Sequence, residues 1–139
     1  MNYLKYLVEE IHTTVMATTD ANNLPVTCAI DVMDYDDNGL YFLTAKGKNF
    51  YDRLKRNGYV ALTGMKGKDT MSCVAVSLRG KVKGIAVSHW KDYLKRTAIC
   101  TKFIRPSNKE KHSLYFAFMM QTASGLTFQK SLLKGLIFQ

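Results

Sequence analysis

Residues 40–64, LYFLTAKGKNFYDRLKRNGYVALTG, decide how the chain is read. Leu40–Ala45 (LYFLTA) has the aromatic and aliphatic composition of a strand, and a short polar turn with Thr44, Lys46, Lys48 and Asn49 follows it. Across Gly47–Asn57 the apolar Phe50 and Leu54 share one side while Asp52, Arg53, Lys55 and Arg56 lie elsewhere, which predicts an amphipathic helix. Gly58 stands where a left-handed residue would stop that helix, and Tyr59–Met65 (YVALTGM) returns to strand.

Outward from this unit the pattern is mostly β. Leu4, Leu7, Val8 and Ile11 recur at helical spacing and predict a short N-terminal helix that buries one stripe. Thr13–Thr19 (TTVMATT) and Pro25–Met33 (PVTCAIDVM) read as a hairpin about the turn cluster Asp20–Leu24, and Asp34–Gly39 (DYDDNG) supplies turn chemistry before Leu40. Downstream, Met71–Ile85 alternates and carries Gly80 and Gly84, where a bend or bulge is expected. A helix from Ser88 to about Ile99, a loop over Pro106–Lys111, and a last hairpin of Leu114–Gln121 and Leu126–Gln129 complete the reading. Short strands at roughly ten-residue spacing with brief helices favour a mainly β fold, a small antiparallel barrel, over a doubly wound α/β sheet.

With 139 residues the chain fits one domain, residues 1–139, and 47% hydrophobic residues are enough for a core without staples. Cys28, Cys73 and Cys100 are odd in number, far apart and never form C-x-x-C, so a disulfide framework is not expected and a reduced, cytoplasmic setting is. No leader pattern follows Met1–Tyr6, and no apolar run approaches the ~18 residues that cross a bilayer, so no membrane association is expected. His12, His89 and His112 share no metal-ligand spacing, so no metal site is expected. No acid–base pair is visible, and G-x-G-x-x-G and G-x-x-x-x-G-K-[ST] are both absent.

Charge is uneven. Residues 46–111 hold 17 of the 20 Lys and Arg against 4 acids, whereas residues 1–45 hold 1 base against 7 acids. A basic middle suits nucleic acid, an acidic membrane surface, a phosphorylated ligand or a plain solvated face. No nucleic-acid motif accompanies it, so no nucleic-acid partner is expected. The turn of residues 44–49 admits two readings. A strand end, a glycine and a helix start with a hydroxyl and two ammonium groups make a phosphate cradle, and the same residues also make an ordinary solvent loop.

The order of these pieces resembles a known family. VMATTDANNLPVTCAIDVMDYDDNGLYFLTAKGKNFYDRLKRNGYVALTG, together with Ser77–Val82 (SLRGKV), is similar over residues 11–85 to the FMN-binding split-barrel family related to pyridoxamine 5'-phosphate oxidase. That family shows, in order, a hairpin A-T-x-D-x-x-G-x-P, a strand ending in Thr or Ser, a T-x-K-G-x-K-like turn, L-x-x-N-P-x-V-A-L and a late x-G-x-A/V strand. The resemblance implies a small antiparallel split β-barrel, Greek-key-like and flanked by short helices. It implies a non-covalently bound FMN and a homodimer with flavin at the subunit interface.

Carried over by position, Val26, Thr27, Cys28, Ala29 and Ile30 would run beside the flavin ring. Leu43 and Thr44 would lie near the ribityl chain and phosphate, and Lys46, Lys48 and Asn49 would hold the phosphate. On composition alone, Val26–Ile30 is equally a core strand. Asn23-Leu24 departs from the family's usual Gly, and Gly58 from its usual Pro after Asn. Lys48 stands where the nitroimidazole-resistance branch has His, so that chemistry is not assigned. The Arg- and Trp-bearing segment that grips pyridoxine phosphate is not recognisable in Lys109–Gln139, which argues against synthesis of pyridoxal phosphate. The expectation is an oxidoreductase passing a hydride or electrons to an unidentified small molecule. Its rival is a module that holds flavin, deazaflavin or haem without turnover.

Overall fold

The structure, a computed structural model, describes residues 2–69, 72–85 and 115–122. Six strands, β1 (Thr13–Thr19), β2 (Pro25–Asp36), β3 (Gly39–Ala45), β4 (Tyr59–Lys66), β5 (Val74–Gly84) and β6 (Tyr115–Thr122), close into an antiparallel barrel in the order β1-β2-β3-β6-β5-β4. The expected mainly β barrel with short helices is therefore what forms. The connection from β3 to β4 cannot be a hairpin because the two strands are not neighbours, and helix α2 (Asn49–Asn57) makes the crossing. The expected helix from Ser88, the loop of 106–111, the strand Leu126–Gln129, and His89, Trp90, Tyr93, Cys100, Phe103 and His112 lie outside the described residues.

Alternation along the strands sends one face inward. Met16, Val32, Leu40, Phe42, Leu62, Val76, Leu78, Phe118 and Met120 fill the barrel. Phe42 stacks on Phe118 with ring centroids 5.9 Å apart, and α2 adds Phe50 at 6.2 Å from Phe42. The helix closes one end of the barrel in this way, with Leu54 beside Phe50 on its buried side. Its far end is tied to β1 through Arg53 Nε donating to Thr18 Oγ1 (2.8 Å) and Asn57 Nδ2 donating to the Thr19 carbonyl (2.7 Å). Gly58 ends α2 at φ 63, the left-handed role its place in the sequence predicts.

The chain departs from the sequence reading in three places. The N-terminal helix is a single α turn, α1 (Tyr3–Tyr6), that widens into a π turn over Leu7–Ile11, and its apolar stripe reaches full burial only at Leu7. β2 continues three residues past Met33 and leaves only Asp37 and Asn38 between strands. A register shift between Val32 and Asp34 lets it continue, and Tyr41 Oη donates to Asp36 Oδ2 (2.7 Å) across the ladder. The bulge expected near Gly80 is absent, since β5 pairs with β4 in unbroken register from Val74 to Lys81. Gly80 instead admits β6, because a Cβ there would meet the Gln121 carbonyl oxygen at 2.0 Å. Gly80→Ala is expected to destabilise the barrel by at least about 1–3 kcal/mol, read as a lower urea midpoint at unchanged m-value. An unchanged midpoint would contradict this packing.

Candidate functional site

The site follows from where β2 leaves β3. Their ladder holds from Asp36↔Gly39 to Val32↔Phe42 and stops there. Beyond it, Leu43–Ala45 stay paired with β6, while β2 from Pro25 to Asp31 stays paired with β1. Met33 sits in the shifted register and is buried next to buried Val32. Two successive inward residues mark a bulge, and bulges bend a strand away from its partner. A cavity of about 310 Å³ opens between the diverging strands.

Backbone groups face this opening. Val32 N–H donates to the His12 carbonyl (2.9 Å), so Val32 turns its hydrogen-bonding groups toward β1. By the alternation of an antiparallel ladder, Asp31, Ala29 and Thr27 turn theirs to the opposite edge, which β3 has left. The opposite wall supplies Leu43, Thr44 and Ala45, and α2 supplies Lys48 and Phe50. Thr44 is 95% buried (relative exposure 5%), and among the described residues its hydroxyl has no hydrogen-bond partner. The first turn of α2 has no side-chain cap, because its N-cap is Lys48, whose ammonium cannot accept. The uncapped start of α2, Lys48 and the buried Thr44 therefore lie together along one stretch of the cavity wall, a composition suited to an anion.

Of the sequence-derived candidates, Cys28, Ala29, Ile30, Leu43, Thr44 and Lys48 line the cavity. Val26 and Thr27 precede it on β2, half-buried and exposed respectively, and Lys46 and Asn49 are exposed beside it without lining it. The structure adds Met33, Ala45 and Phe50, and it adds His12 and Asp31. Phe50 follows Asn49 directly, so the turn motif could have pointed to it. His12 and Asp31 are 19 positions apart, and only the β1–β2 register brings them together. Burial holds the Cys28 thiol above its usual range, although the Arg53 guanidinium and the Lys48 ammonium pull it the other way. Among the described residues no cluster of His, Cys, Asp and Glu suits a metal ion, and no helix is long and apolar enough to cross a membrane.

Comparison with known proteins reaches further along the chain than the motifs do. The profile of one family, pyridoxamine 5'-phosphate oxidase, matches residues 3–127, beyond the 11–85 that carry the recognisable motifs. No curated protein matches the sequence. Among solved structures, HutZ, the heme storage protein of Vibrio cholerae, is similar at 14% identity, with 91% of this chain and 92% of that one covered and a TM-score of 0.67. The FAD and heme binding protein of Mycobacterium smegmatis is similar at 16% identity, over 89% of this chain and 67% of that one, with a TM-score of 0.70. A NimC/NimA family protein of Clostridium acetobutylicum is similar at 18% identity, over 85% and 78%, with a TM-score of 0.65. At these identities the likeness is one of fold.

Because burial keeps the Cys28 thiol protonated, iodoacetamide at pH 8 is expected to alkylate it several-fold more slowly in the folded protein than in the urea-unfolded chain, as followed by peptide mass spectrometry. Equal rates would show that the cavity wall does not protect it.

Proposed function

The chain belongs to the pyridoxamine 5'-phosphate oxidase family, and from that premise we propose that it binds FMN in the opening between β2 and β3 and passes a hydride or electrons between a reduced donor and a small molecule. The observation that carries the proposal is the buried Thr44 hydroxyl, without a hydrogen-bond partner among the described residues, beside an uncapped helix start and Lys48. A phosphate dianion satisfies all three at once. The residues fit the rest of a flavin as well. The free edge of β2 offers amide and carbonyl groups for the polar rim of the ring, and Ile30, Leu43 and Phe50 offer apolar walls for its faces. When bound, the flavin supplies the hydride chemistry, and the protein binds it, orients it and keeps one face dry.

The homodimer belongs to the same proposal. A cavity of about 310 Å³ is at the small end for ligand sites, so one chain covers only part of a flavin. Beside the free edge the outer barrel face is apolar, with Val15 52%, Tyr59 65% and Met65 64% exposed and Ala17, Ala29 and Ala61 on the same face. A second copy covering this face would complete the slot.

A reading with haem in place of flavin, or with either held without turnover, has support in the Vibrio cholerae and Mycobacterium smegmatis structures, described as heme storage and FAD and heme binding proteins. The absorbance of the purified protein separates the ligands, since flavin bands favour the first reading, a Soret band the second, and the spectrum of a deazaflavin matches neither. Bleaching of bound flavin by an anaerobic nicotinamide donor separates turnover from storage.

For the site itself, Lys48→Glu places like charge against the phosphate. It is expected to weaken FMN binding about 10- to 100-fold by fluorescence titration while leaving the circular dichroism unchanged. Undiminished affinity would remove Lys48 from the site.

A further inference from the structure

His12 is held in a conformation that its place in the chain does not require. Its torsions, φ 64 and ψ −61, are those of the central residue of a strained γ-turn. The only other non-glycine residue with positive φ among those described is Asn23, which sits in the hairpin turn of Asp20–Leu24 and is of a type that tolerates it. His12 occupies no hairpin. It ends the π turn, with its N–H donating to the Leu7 carbonyl (2.7 Å) and its carbonyl accepting from Val32 N–H (2.9 Å). Both backbone groups are thus pinned while the torsions stay strained, and His12 forms part of the cavity wall. A π turn and a strained residue are both features that cluster at functional sites.

The ring has a carboxylate neighbour. His12 Nε2 lies 3.9 Å from Asp31 Oδ2, and the same carboxylate accepts from Thr13 Oγ1 through its other oxygen at 2.7 Å. Thr13 and Asp31 are opposite one another in the β1–β2 ladder, so the carboxylate is set by the sheet and not by a loop. The cavity wall holds Cys28 and Lys48 together with the His12–Asp31 pair, and Thr13 anchors the Asp31 carboxylate from β1.

We infer that His12 is the proton-transfer residue of this cavity, with Asp31 positioning its ring. The inference rests on the flavin reading above. A carbonyl or quinone acceptor that takes a hydride from reduced flavin gains two electrons and one negative charge, which develops on its oxygen. The protonated imidazole gives its proton to that oxygen and becomes neutral, so the acceptor ends with one hydride and one proton more. Water then returns a proton to the imidazole, and the Asp31 carboxylate, 3.9 Å from Nε2, orients the ring. The acceptor class is accordingly a small planar carbonyl or quinone whose oxygen can reach the His12 wall.

The torsions allow a clean test. Glycine adopts φ 64 without the side-chain penalty, so His12→Gly removes the imidazole while relieving the backbone. The ligand-free variant is expected to melt no lower than the wild type and still to take up FMN. After photoreduction, the FMN-loaded variant is expected to be reoxidised by menadione at least about 100-fold more slowly than the wild type, with the rate partly restored by imidazole added to the solution. Asp31→Asn is expected to give an intermediate loss that added imidazole does not repair. Reoxidation of His12→Gly at the wild-type rate, or loss without rescue by imidazole, overturns the assignment of His12 and leaves FMN binding standing. Failure of the wild type to take up FMN overturns the flavin reading and this one with it.

Discussion

One constraint organises the molecule: β2 cannot pair with β1 and with β3 along its whole length. The register shift at Met33 satisfies β3 on one side of it and releases it on the other. The released edge belongs to a barrel that is otherwise closed, because β1 pairs with β4 and β6 bridges β3 to β5. An unpaired edge inside a closed barrel is not the aggregation hazard of an exposed outer strand, but its amide and carbonyl groups still need partners. The geometry converts a local defect in a ladder into a slot lined with directed donors and acceptors.

What keeps the slot open is packing on its far wall. β3 cannot follow β2, since Leu43, Thr44 and Ala45 are registered against β6 and the Phe42–Phe118 stack fastens the two strands from inside. α2 strengthens this by laying Phe50 against Phe42 and by anchoring Arg53 and Asn57 to the end of β1. Lys48 and Phe50 at the start of α2 thereby line the slot, and the slot's walls differ in chemistry. Lys48 and the uncapped first turn stand near Thr44 and Cys28, while Asp31 and His12 stand toward the π turn. A ligand with an anionic tail and a reactive head has one orientation that meets both.

Much of this was legible in the residues. The strand of Leu40–Ala45, the polar turn, the Phe50/Leu54 stripe and the stop at Gly58 are local features, and each forms where its pattern predicts. Six of the ten candidate site residues line the cavity, because two stretches, one on β2 and one from the end of β3 into α2, carry most of it. The bulge at Met33 was not legible, since Val32-Met33 reads simply as the end of an apolar strand. The reason for Gly80 was not legible either, because a strand glycine signals a bend and a close neighbour alike, and only the seat of β6 separates the two.

By itself the sequence determined the periodicities, hence the strands, the amphipathic helix and the order of motifs that places the chain in its family. These depend on neighbours within a few residues, and short-range sterics and hydrophobic alternation are enough to specify them. Tertiary structure alone decided which strand edges stay unpaired, that β6 lies between β3 and β5, and that His12 meets Asp31 beside the slot. Those are consequences of register and closure, which join residues far apart in the chain and which no local pattern encodes.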